Sequence, residues 1–423
     1  MTVHVFVGPT LAVHEVVRLA EGAVTHPPVR HGDLLRLPLE HGDVAVIIDG
    51  FYHQSASVRH KEILHVLANG VTVVGCSSMG ALRAAELHPY GMIGSGRVFA
   101  MYRDGVIDGD DEVAVAHDEA PSYRPFSIPL VNLRHAIAQA ETAGVLSPRQ
   151  AGEIVAAARE VPYSDRSWRA VKADGVDELR AFLTRHPEHG DLKASDARAA
   201  LSRLGTFRPP DPDAHDWIQA NGWRSAYLHE WLATFRGTSV EGIHVGDAAA
   251  MRYRQIYEQD FPRRWRDHVL TRIAGSPAQA LAAAAEAGVR LTAAHRRTWL
   301  TAEEAELLPD DEALLLVLIR THGQTGDIHA LVAAEGVNTT DEHRTAVAES
   351  QAINAEVAGW EPGRSIELLK YETLRAHLAR TWKAHSAEHL KAAGRDRGFA
   401  SVRLAVRAVR PFYLRHHFLA VSP

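Results

Sequence analysis

The sequence contains a single cysteine, Cys76, among its 423 residues. One cysteine cannot form an internal disulfide, so the sequence excludes a disulfide framework and favours a reducing compartment. A basic excess is also missing, because 46 Lys and Arg residues face 52 Asp and Glu residues and give a net charge of −6. Proteins dedicated to nucleic acids usually carry such an excess, so no nucleic-acid partner is expected.

Long apolar runs are missing as well. No stretch approaches the roughly 18 apolar residues of a transmembrane helix, so no membrane association is expected. The first residues, MTVHVFVGPTL, lack Lys and Arg before a short apolar run and predict a strand rather than a signal peptide. With 46% hydrophobic and 23% charged residues, the composition is that of a globular protein. We therefore expect a cytoplasmic protein of two or three folded units.

The first hundred residues alternate between strand-like and helix-like patterns. Apolar, β-branched runs predict three strands, at residues 3–7, 43–49 and 71–74. Apolar residues at helical spacing predict helices after each of them, at residues 12–22, 57–70 and 78–87. Strands that alternate with helices of this length form parallel βαβ units. The sequence therefore predicts an α/β domain with a Rossmann-like or flavodoxin-like parallel sheet, which binds ligands at the carboxyl ends of its strands.

Strand signals fade after about residue 130, and helical patterns dominate the remainder. The stretch GTFRPPDPDAHD at residues 205–216 is the best linker candidate, because its three prolines cannot continue a helix or a sheet. We expect an α/β domain with trailing helices over residues 1–208. A mostly α-helical domain of unknown role is expected over residues 209–423.

Two serines follow the third predicted strand, in the segment GCSSMGALRAAEL at residues 75–87. Backbone N–H groups at a helix start carry partial positive charge and suit an oxyanion or a carboxylate. Ser78-Met79-Gly80 resembles the second half of a nucleophile elbow, G-x-S-x-G, although Gly75 lies three residues before Ser78 instead of two. The alternative is that Ser77 or Ser78 merely caps the helix, and the pattern alone favours the cap.

A second polar cluster follows the second predicted strand. Asp49 ends that strand, His53 comes shortly after it, and His60, Lys61 and Glu62 open the next helix. A histidine at a neighbouring strand end can act as general base for a serine, with a carboxylate that orients it. The alternative is a solvated first helical turn, and spacing alone favours it.

Two other motifs predict no metal or nucleotide site. The G-x-x-G-x-G pattern at residues 91–96 follows no predicted strand, so we interpret it as tight turns. Residues 385–389 match the zinc pattern H-x-x-E-H, but no Glu follows them and Asp396 is the only downstream Asp. No phosphate-binding P-loop is present. No metal and no cofactor are therefore expected.

The C-terminal segment is basic, with six arginines against one aspartate between Arg395 and Arg415. Such a segment can dock an acidic partner. More often, a run of charges is a solvated helix face.

Five blocks of the sequence, in the right order, resemble the TfuA-like proteins. They are IIDGFYHQ (47–54), SVRHKEIL (57–64), GCSSMGALRAAELHPYGMIGSG (75–96), DDEVAVAH (110–117) and SIPLVNLRHAI (127–137). TfuA-like proteins accompany YcaO enzymes, which use ATP to activate backbone amides of ribosomally made peptides. The pair installs thioamides in peptide natural products and in methyl-coenzyme M reductase. The resemblance implies a YcaO-type partner and a role in RiPP or antibiotic biosynthesis.

The blocks also indicate candidate site residues. These are Asp49, His53, His60, Lys61, Glu62, Ser77, Ser78, Met79, Gly80, Arg83 and Glu86. The resemblance implies that the protein obtains sulfide from a donor such as a thiocarboxylated sulfur-carrier protein, or that it activates the YcaO enzyme.

From chemistry, we expect Ser78 to attack the thiocarboxylate carbon, with His60 or His53 as its base. Glu62 or Glu86 would orient a histidine or a lysine. Amides at the start of the helix would hold the oxyanion. Arg83 would bind the entering or departing anion, and the remaining candidates would contact the substrate.

Two alternatives stay open. In the first, the protein is a non-catalytic partner that binds and activates the YcaO enzyme, and Ser78 is only a helix cap. In the second, Cys76 carries a persulfide, since a partly exposed thiol at a helix start has a lowered pKa.

Overall fold

The computed structural model describes residues 1–53, 55–209, 216–219, 223–322, 332, 339–360 and 365–421. The chain divides into two compact units, Met1–Leu228 and His229–Pro423. In the ranges just given, no helix combines the length and the apolar composition that crossing a membrane requires.

A five-stranded parallel sheet forms the centre of the first unit. Its strands are β1 (Val3–Phe6), β2 (Val24–His26), β3 (Val44–Ile47), β4 (Thr72–Cys76) and β5 (Ile93–Ser95). They lie in the order β2-β1-β3-β4-β5, and every neighbouring pair is parallel. This is the flavodoxin-like strand order, so the predicted α/β class is confirmed.

Helices cover both faces of this sheet. The helices of the unit are α1 (Val13–Leu19), α2 (Asp33–Arg36), α3 (His60–Ala68), α4 (Met79–Leu87), α5 (Arg97–Arg103), α6 (Leu130–Thr142), α7 (Pro148–Arg159), α8 (Val176–Arg185), α9 (Leu192–Leu201) and α10 (Asp216–Gln219). One face packs against α3, α4 and α5, and the other packs against α1 and α9. Because both faces are covered, every residue of β3 and β4 is buried.

Sequence patterns did not predict the two strands at the edges of the sheet, β2 and β5. Each has only three residues. Strand β5 lies inside the glycine motif that we interpreted as turns. Gly91 and Gly96 do have positive φ angles, as turns require, but Ile93–Ser95 pairs with β4 between them.

The described residues of the second unit are mostly helical, as predicted, and they include a β-hairpin that the sequence patterns did not predict. Its elements are α11 (Ala226–Phe235, which begins just before the boundary), β6 (Gly237–Val240), β7 (Ile243–Gly246), α12 (Asp247–Tyr257), α13 (Phe261–Ile273), α14 (Pro277–Glu286), α15 (Ala293–Trp299), α16 (Ala302–Leu307), α17 (Asp310–His322), α18 (Asp341–Trp360), α19 (Tyr371–Thr381), α20 (Ala387–Arg395), α21 (Val402–Val409) and α22 (Tyr413–Val421). Its largest core joins α12, α18, α19 and α21. Of the expected linker, residues 210–215 lie outside the described residues.

Candidate functional site

A cavity of about 170 Å³ lies at the carboxyl edge of the sheet, where β1, β3 and β4 end. Strands β2 and β3 flank β1 on opposite sides, so this edge is the topological switch point where open α/β sheets bind ligands. The cavity walls come from five parts of the chain: Pro9, residues 49–52, the start of α4, residues 110–117 and residues 163–164.

Asp49 fastens two of these walls together. Its carboxylate is 2% exposed. One oxygen accepts the N–H groups of Gly8 at 2.9 Å and Thr10 at 3.0 Å, and the other accepts the Thr10 hydroxyl at 2.6 Å. These bonds hold the loop after β1 against the end of β3. Asp49 therefore shapes the cavity with oxygens that are already engaged.

The two serines have different surroundings. Ser77 is fully buried and has a φ angle of +65°. The Ser78 N–H donates to the Cys76 carbonyl at 2.7 Å, which closes a γ-turn around Ser77. Such a turn is strained for a residue other than glycine, and strain of this kind clusters at functional sites.

Ser78 is the serine that lines the cavity. It occupies the N-cap position of α4, yet its side chain makes no capping hydrogen bond. The helix-cap alternative therefore lacks the interaction that defines a cap. The Ser78 hydroxyl therefore makes no hydrogen bond to the first turn of its own helix.

The start of α4 lies very close to β3. A Cβ atom on Gly80 would come within 1.7 Å of the Ile47 carbonyl oxygen, and the Gly80 N–H donates to Ile48 O at 3.4 Å. The Ser78 N–H is also engaged, and no backbone acceptor is found for the Met79 N–H among the described residues. Two of the three amides from Ser78 to Gly80 are therefore engaged, and the Met79 N–H stays a candidate donor to an anion.

His117 lines the same cavity as Ser78, and sequence reasoning did not single it out. Its Nδ1 lies 2.8 Å from the carbonyl oxygen of Asp118. A carbonyl can only accept, so Nδ1 carries a proton, and in the neutral tautomer the lone pair is on Nε2. The ring centres of Phe51 and Tyr123 lie 6.4 Å and 5.6 Å from the centre of the His117 ring. The one feature of the sequence that could have indicated His117 is that it ends DDEVAVAH (110–117), one of the five blocks that resemble the TfuA-like proteins.

Two tyrosines form the polar wall of the cavity. The Tyr52 hydroxyl donates to Asp110 at 2.6 Å, and both residues line the cavity with Tyr163. Burial and the Asp110 carboxylate raise the pKa of Tyr52 to about 12. His53 stacks on Tyr52 at 4.0 Å and lies 3.2 Å from the Tyr163 hydroxyl, but does not itself line the cavity.

His60, Arg83 and Glu86 form a separate cluster on α3 and α4. His60 Nε2 lies 2.8 Å from Glu86, and Arg83 Nη1 donates to the same carboxylate oxygen at 2.6 Å. Burial opposes ionisation of Glu86, but the hydrogen bond with His60 and the charge of Arg83 outweigh it, so the pKa is lowered. None of the three lines the cavity with Ser78. Lys61, on the same helix as His60, is half-buried.

Glu62 is completely buried and engaged elsewhere. It accepts hydrogen bonds from the His31 ring at 2.5 Å, from Gly32 N–H at 2.7 Å and from Arg59 N–H at 3.0 Å. These bonds attach the start of α3 to the segment before α2. Glu62 therefore orients His31, and the structure does not bring it to His53 or His60.

The expectation of a partly exposed thiol at Cys76 is wrong. Cys76 is the last residue of β4 and is fully buried. Burial raises its pKa to about 12, so the group is a neutral thiol at neutral pH. Thiolate chemistry requires accessibility and a lowered pKa, and Cys76 has neither.

Lys193 holds one wall of the cavity in place, and the sequence patterns did not predict this role. It is 3% exposed, and its ammonium group donates to the carbonyl of Val113 at 2.9 Å. Burial lowers the pKa of Lys193, while the charges of Asp49 and Asp191 oppose this shift. Because Val113 lines the cavity, Lys193 fixes the segment that leads to His117.

Within the part of the chain that the structure describes, no three His, Cys, Asp or Glu side chains are grouped to hold a metal ion. In the H-x-x-E-H segment, His389 bonds to Ser386 and Glu388 accepts the N–H of Ala302.

The fold defines the first unit as a flavodoxin-like α/β domain, and a cavity lies at its switch point. Residues 49–167 match the family model described as TfuA-like protein. The chain is therefore TfuA-like over this segment, and the resemblance drawn from the five blocks is confirmed. The match includes every residue that lines the cavity except Pro9. No curated protein matches the chain.

Proposed function

We propose that this protein serves a YcaO-type enzyme in peptide thioamidation by releasing sulfide from a thiocarboxylated sulfur-carrier protein. The observation that carries the proposal is that Ser78 and His117 line one cavity at the switch point. The Ser78 hydroxyl makes no cap bond and Nε2 of a neutral His117 ring has a free lone pair, so the cavity contains both a candidate nucleophile and a candidate base. The TfuA-like match supports the pathway.

The first step is acyl transfer to Ser78. Its Oγ attacks the thiocarboxylate carbon while His117 Nε2 takes the hydroxyl proton. The C–S bond then breaks as the His117 imidazolium returns this proton to the departing sulfur, and hydrosulfide leaves. Because the leaving group is then weakly basic hydrosulfide, no acid stronger than the imidazolium is needed, and His117 is neutral again for the second step. The Met79 N–H is the donor available to the oxyanion.

The second step is hydrolysis of the Ser78 ester. His117 Nε2 takes a proton from water as the water oxygen attacks the acyl carbon. The bond to Ser78 Oγ breaks, the serine recovers its proton, and the carrier leaves as a carboxylate. In total, one water is consumed and one hydrosulfide and one proton are released for each carrier, and the sulfide passes to the bound YcaO partner.

The cavity size indicates how the carrier binds. A space of about 170 Å³ admits an extended chain end but no folded body, so the folded part of the carrier stays outside. The binding roles expected for Lys61, Arg83 and Glu86 stay predictions. The proposal replaces His60 and His53 by His117 as the base, because only His117 lines the cavity with Ser78.

The test is to mix the purified protein with thiocarboxylated carrier and to measure both sulfide and the intact mass of the carrier. We expect sulfide release with conversion of the carrier to carboxylate. His117→Ala should slow release by about 10²–10⁴-fold, the usual contribution of a general base. His60→Ala is the matched control and should retain release, since His60 bonds to Glu86 outside the cavity.

The opposite outcome identifies the non-catalytic alternative. If no sulfide is released, yet the protein still stimulates thioamidation by its YcaO partner from free sulfide, then it activates its partner without hydrolysing the carrier.

A further inference from the structure

The second unit contains a cavity of about 790 Å³, which is in the size range of small-molecule sites. All the residues that line it lie between Glu230 and Phe412, within this unit. They come mainly from α12, α18, α21 and the loop before α21. Neither the TfuA-like match nor the proposed hydrolysis involves this cavity.

Arg252, on α12, lines the cavity without a carboxylate partner among the described residues. Its Nη1 donates to the Gln255 side-chain oxygen at 2.5 Å, and its guanidinium lies 5.5 Å from the centre of the Phe399 ring. Desolvation lowers the pKa of Arg252 to about 10, with no acidic group opposing the shift. Removing a charge from water without a partner is costly, so a ligand that supplies the missing charge would recover part of that cost.

Carboxylates compensate two other buried arginines of this unit, whereas Arg395 and Arg397 donate to backbone carbonyls. Arg320 forms ion pairs with Glu304 at 2.6 Å and with Asp396 at 2.7 Å. Arg344 lies 3.3 Å from Asp247. Arg252 departs from this pattern.

A buried glutamine holds the Arg252 guanidinium in place. Gln255 is 1% exposed, and its amide nitrogen donates to the Arg397 carbonyl at 2.6 Å. This bond fixes the Gln255 oxygen that accepts from Arg252. The fork of Arg252 is thus oriented before any ligand arrives, which reduces the entropy lost on binding.

The remaining lining combines a second positive charge with apolar walls. Arg407 is exposed and forms no ion pair within the described ranges, and Glu230 is the single carboxylate among the lining residues that the structure describes. Phe399 and Phe412 supply aromatic surface. We infer that this cavity binds a carboxylate carried on an apolar group, with the carboxylate on Arg252 and the apolar part against the phenylalanines.

The test is isothermal titration of the full-length protein with phenylbutyrate and with phenylbutyramide, its uncharged isostere. We expect phenylbutyrate to bind and to raise the melting temperature, because a ligand of the folded state stabilises it. The amide should bind about tenfold or more weakly, since a hydrogen-bonded charge contributes on this scale. Equal binding of acid and amide, or binding of neither, would overturn the inference.

Variants of Arg252 test whether phenylbutyrate binds in this cavity through its carboxylate. Arg252→Met should weaken phenylbutyrate binding by about tenfold or more with an equal or higher melting temperature, because it removes an unpaired charge. Arg252→Lys covers the case in which the first variant does not fold, and it should bind more weakly than the parent because the planar fork is lost. Arg403→Met is the control, since Arg403 lies exposed on α21 outside the cavity lining. Unchanged binding in both Arg252 variants would refute the assignment.

A peptide of alternating glutamate and leucine distinguishes the source of the carboxylate. Tighter binding of this peptide than of phenylbutyrate, sensitive to Arg252→Met, identifies an acidic peptide segment as the ligand. Binding of phenylbutyrate alone identifies a free small acid.

Discussion

Ser77 and Ser78 are adjacent, but the backbone gives them separate tasks. Ser77 takes the positive φ angle that reverses the chain after β4, and its side chain is buried. Ser78 is thereby placed at the cavity with no cap bond. The strain at one serine therefore positions the hydroxyl of the other.

Substitution of each serine should separate these tasks. Ser78→Ala should lower sulfide release by orders of magnitude. The free energy of unfolding should change by less than about 0.5 kcal/mol, because no cap bond is lost. Ser77→Ala, the control, should retain release. Thermal unfolding and a sulfide assay on both variants check this prediction. A loss of about 0.5–2 kcal/mol in Ser78→Ala with normal release would instead identify a helix cap.

Cys76 should be chemically silent in the folded protein. It is fully buried and its pKa is raised to about 12, so a thiol reagent such as DTNB should label the native protein orders of magnitude more slowly than a free thiolate. The unfolded protein should give one thiol per chain. Cys76→Ala should retain sulfide release. Rapid native labelling, or a persulfide found on Cys76, would restore the carrier alternative.

At the scale of elements, the close approach of α4 to β3 sets the position of Ser78. Gly80→Ala should cost about 1–3 kcal/mol or more of unfolding free energy, because its Cβ would overlap the Ile47 carbonyl. Gly152→Ala is the matched control, since Gly152 lies in α7 with nothing within 4 Å. That change should stabilise by about 0.5–1 kcal/mol. Denaturant unfolding measures both, and equal effects would contradict the packing account.

Helix α22 should make the second unit sensitive to acid. His416 stacks on Tyr257 at 3.8 Å, and burial together with Arg415 and His377 lowers its pKa from 6.5 to about 4. As the pH falls, His416 is therefore protonated in the unfolded chain at a higher pH than in the folded protein. The contribution of His416 to the free energy of unfolding is therefore fully present above pH 7, and it is lost as the pH falls through 6.5 towards 4.

The contribution of His416 should be about 1 kcal/mol between pH 7 and pH 5, after allowance for its partial exposure. In His416→Gln, the free energy of unfolding should fall by about 1 kcal/mol less between pH 7 and pH 5 than it does in the parent protein. His417→Gln, its exposed neighbour, is the control. An unchanged pH dependence in His416→Gln would contradict the assignment.

A strand could be predicted from the sequence only where it was long enough and apolar enough to show a clear run of apolar residues. β3 and β4 are fully buried and β1 is half-buried on a covered sheet, so their apolar runs are visible in the sequence. β2 and β5 have three residues each, too few for a pattern to emerge. The hairpin of β6 and β7 contains Gly237, Ser239 and Gly246, which weaken a strand signal.

At the scale of the whole molecule, the sequence indicated where the site lies but not all the residues that form it. The rule for strand ends led to Asp49 and Ser78, because both are close in sequence to their strands. His117 and Lys193 reach the site through tertiary packing of distant segments. Local spacing carries no information about such contacts, and it also grouped His60 with Ser78, which the packing separates.

The basic C-terminal segment is likewise divided by the fold. Arg395 lies 3.9 Å from the Trp299 ring, and Arg410 donates to the carbonyls of residues 366 and 367. Arg415 pairs with Glu349 at 2.5 Å. Much of the positive charge is therefore used inside the unit, while Arg407 faces the cavity that also contains Arg252.

The most direct test of the account is peptide mapping of the protein after a rapid acid quench of its reaction with excess thiocarboxylated carrier. We expect an ester that joins the carboxyl terminus of the carrier to Ser78, and we expect Ser78→Ala to lack both this ester and sulfide release. Normal release by Ser78→Ala, or a covalent link at another residue, would contradict it.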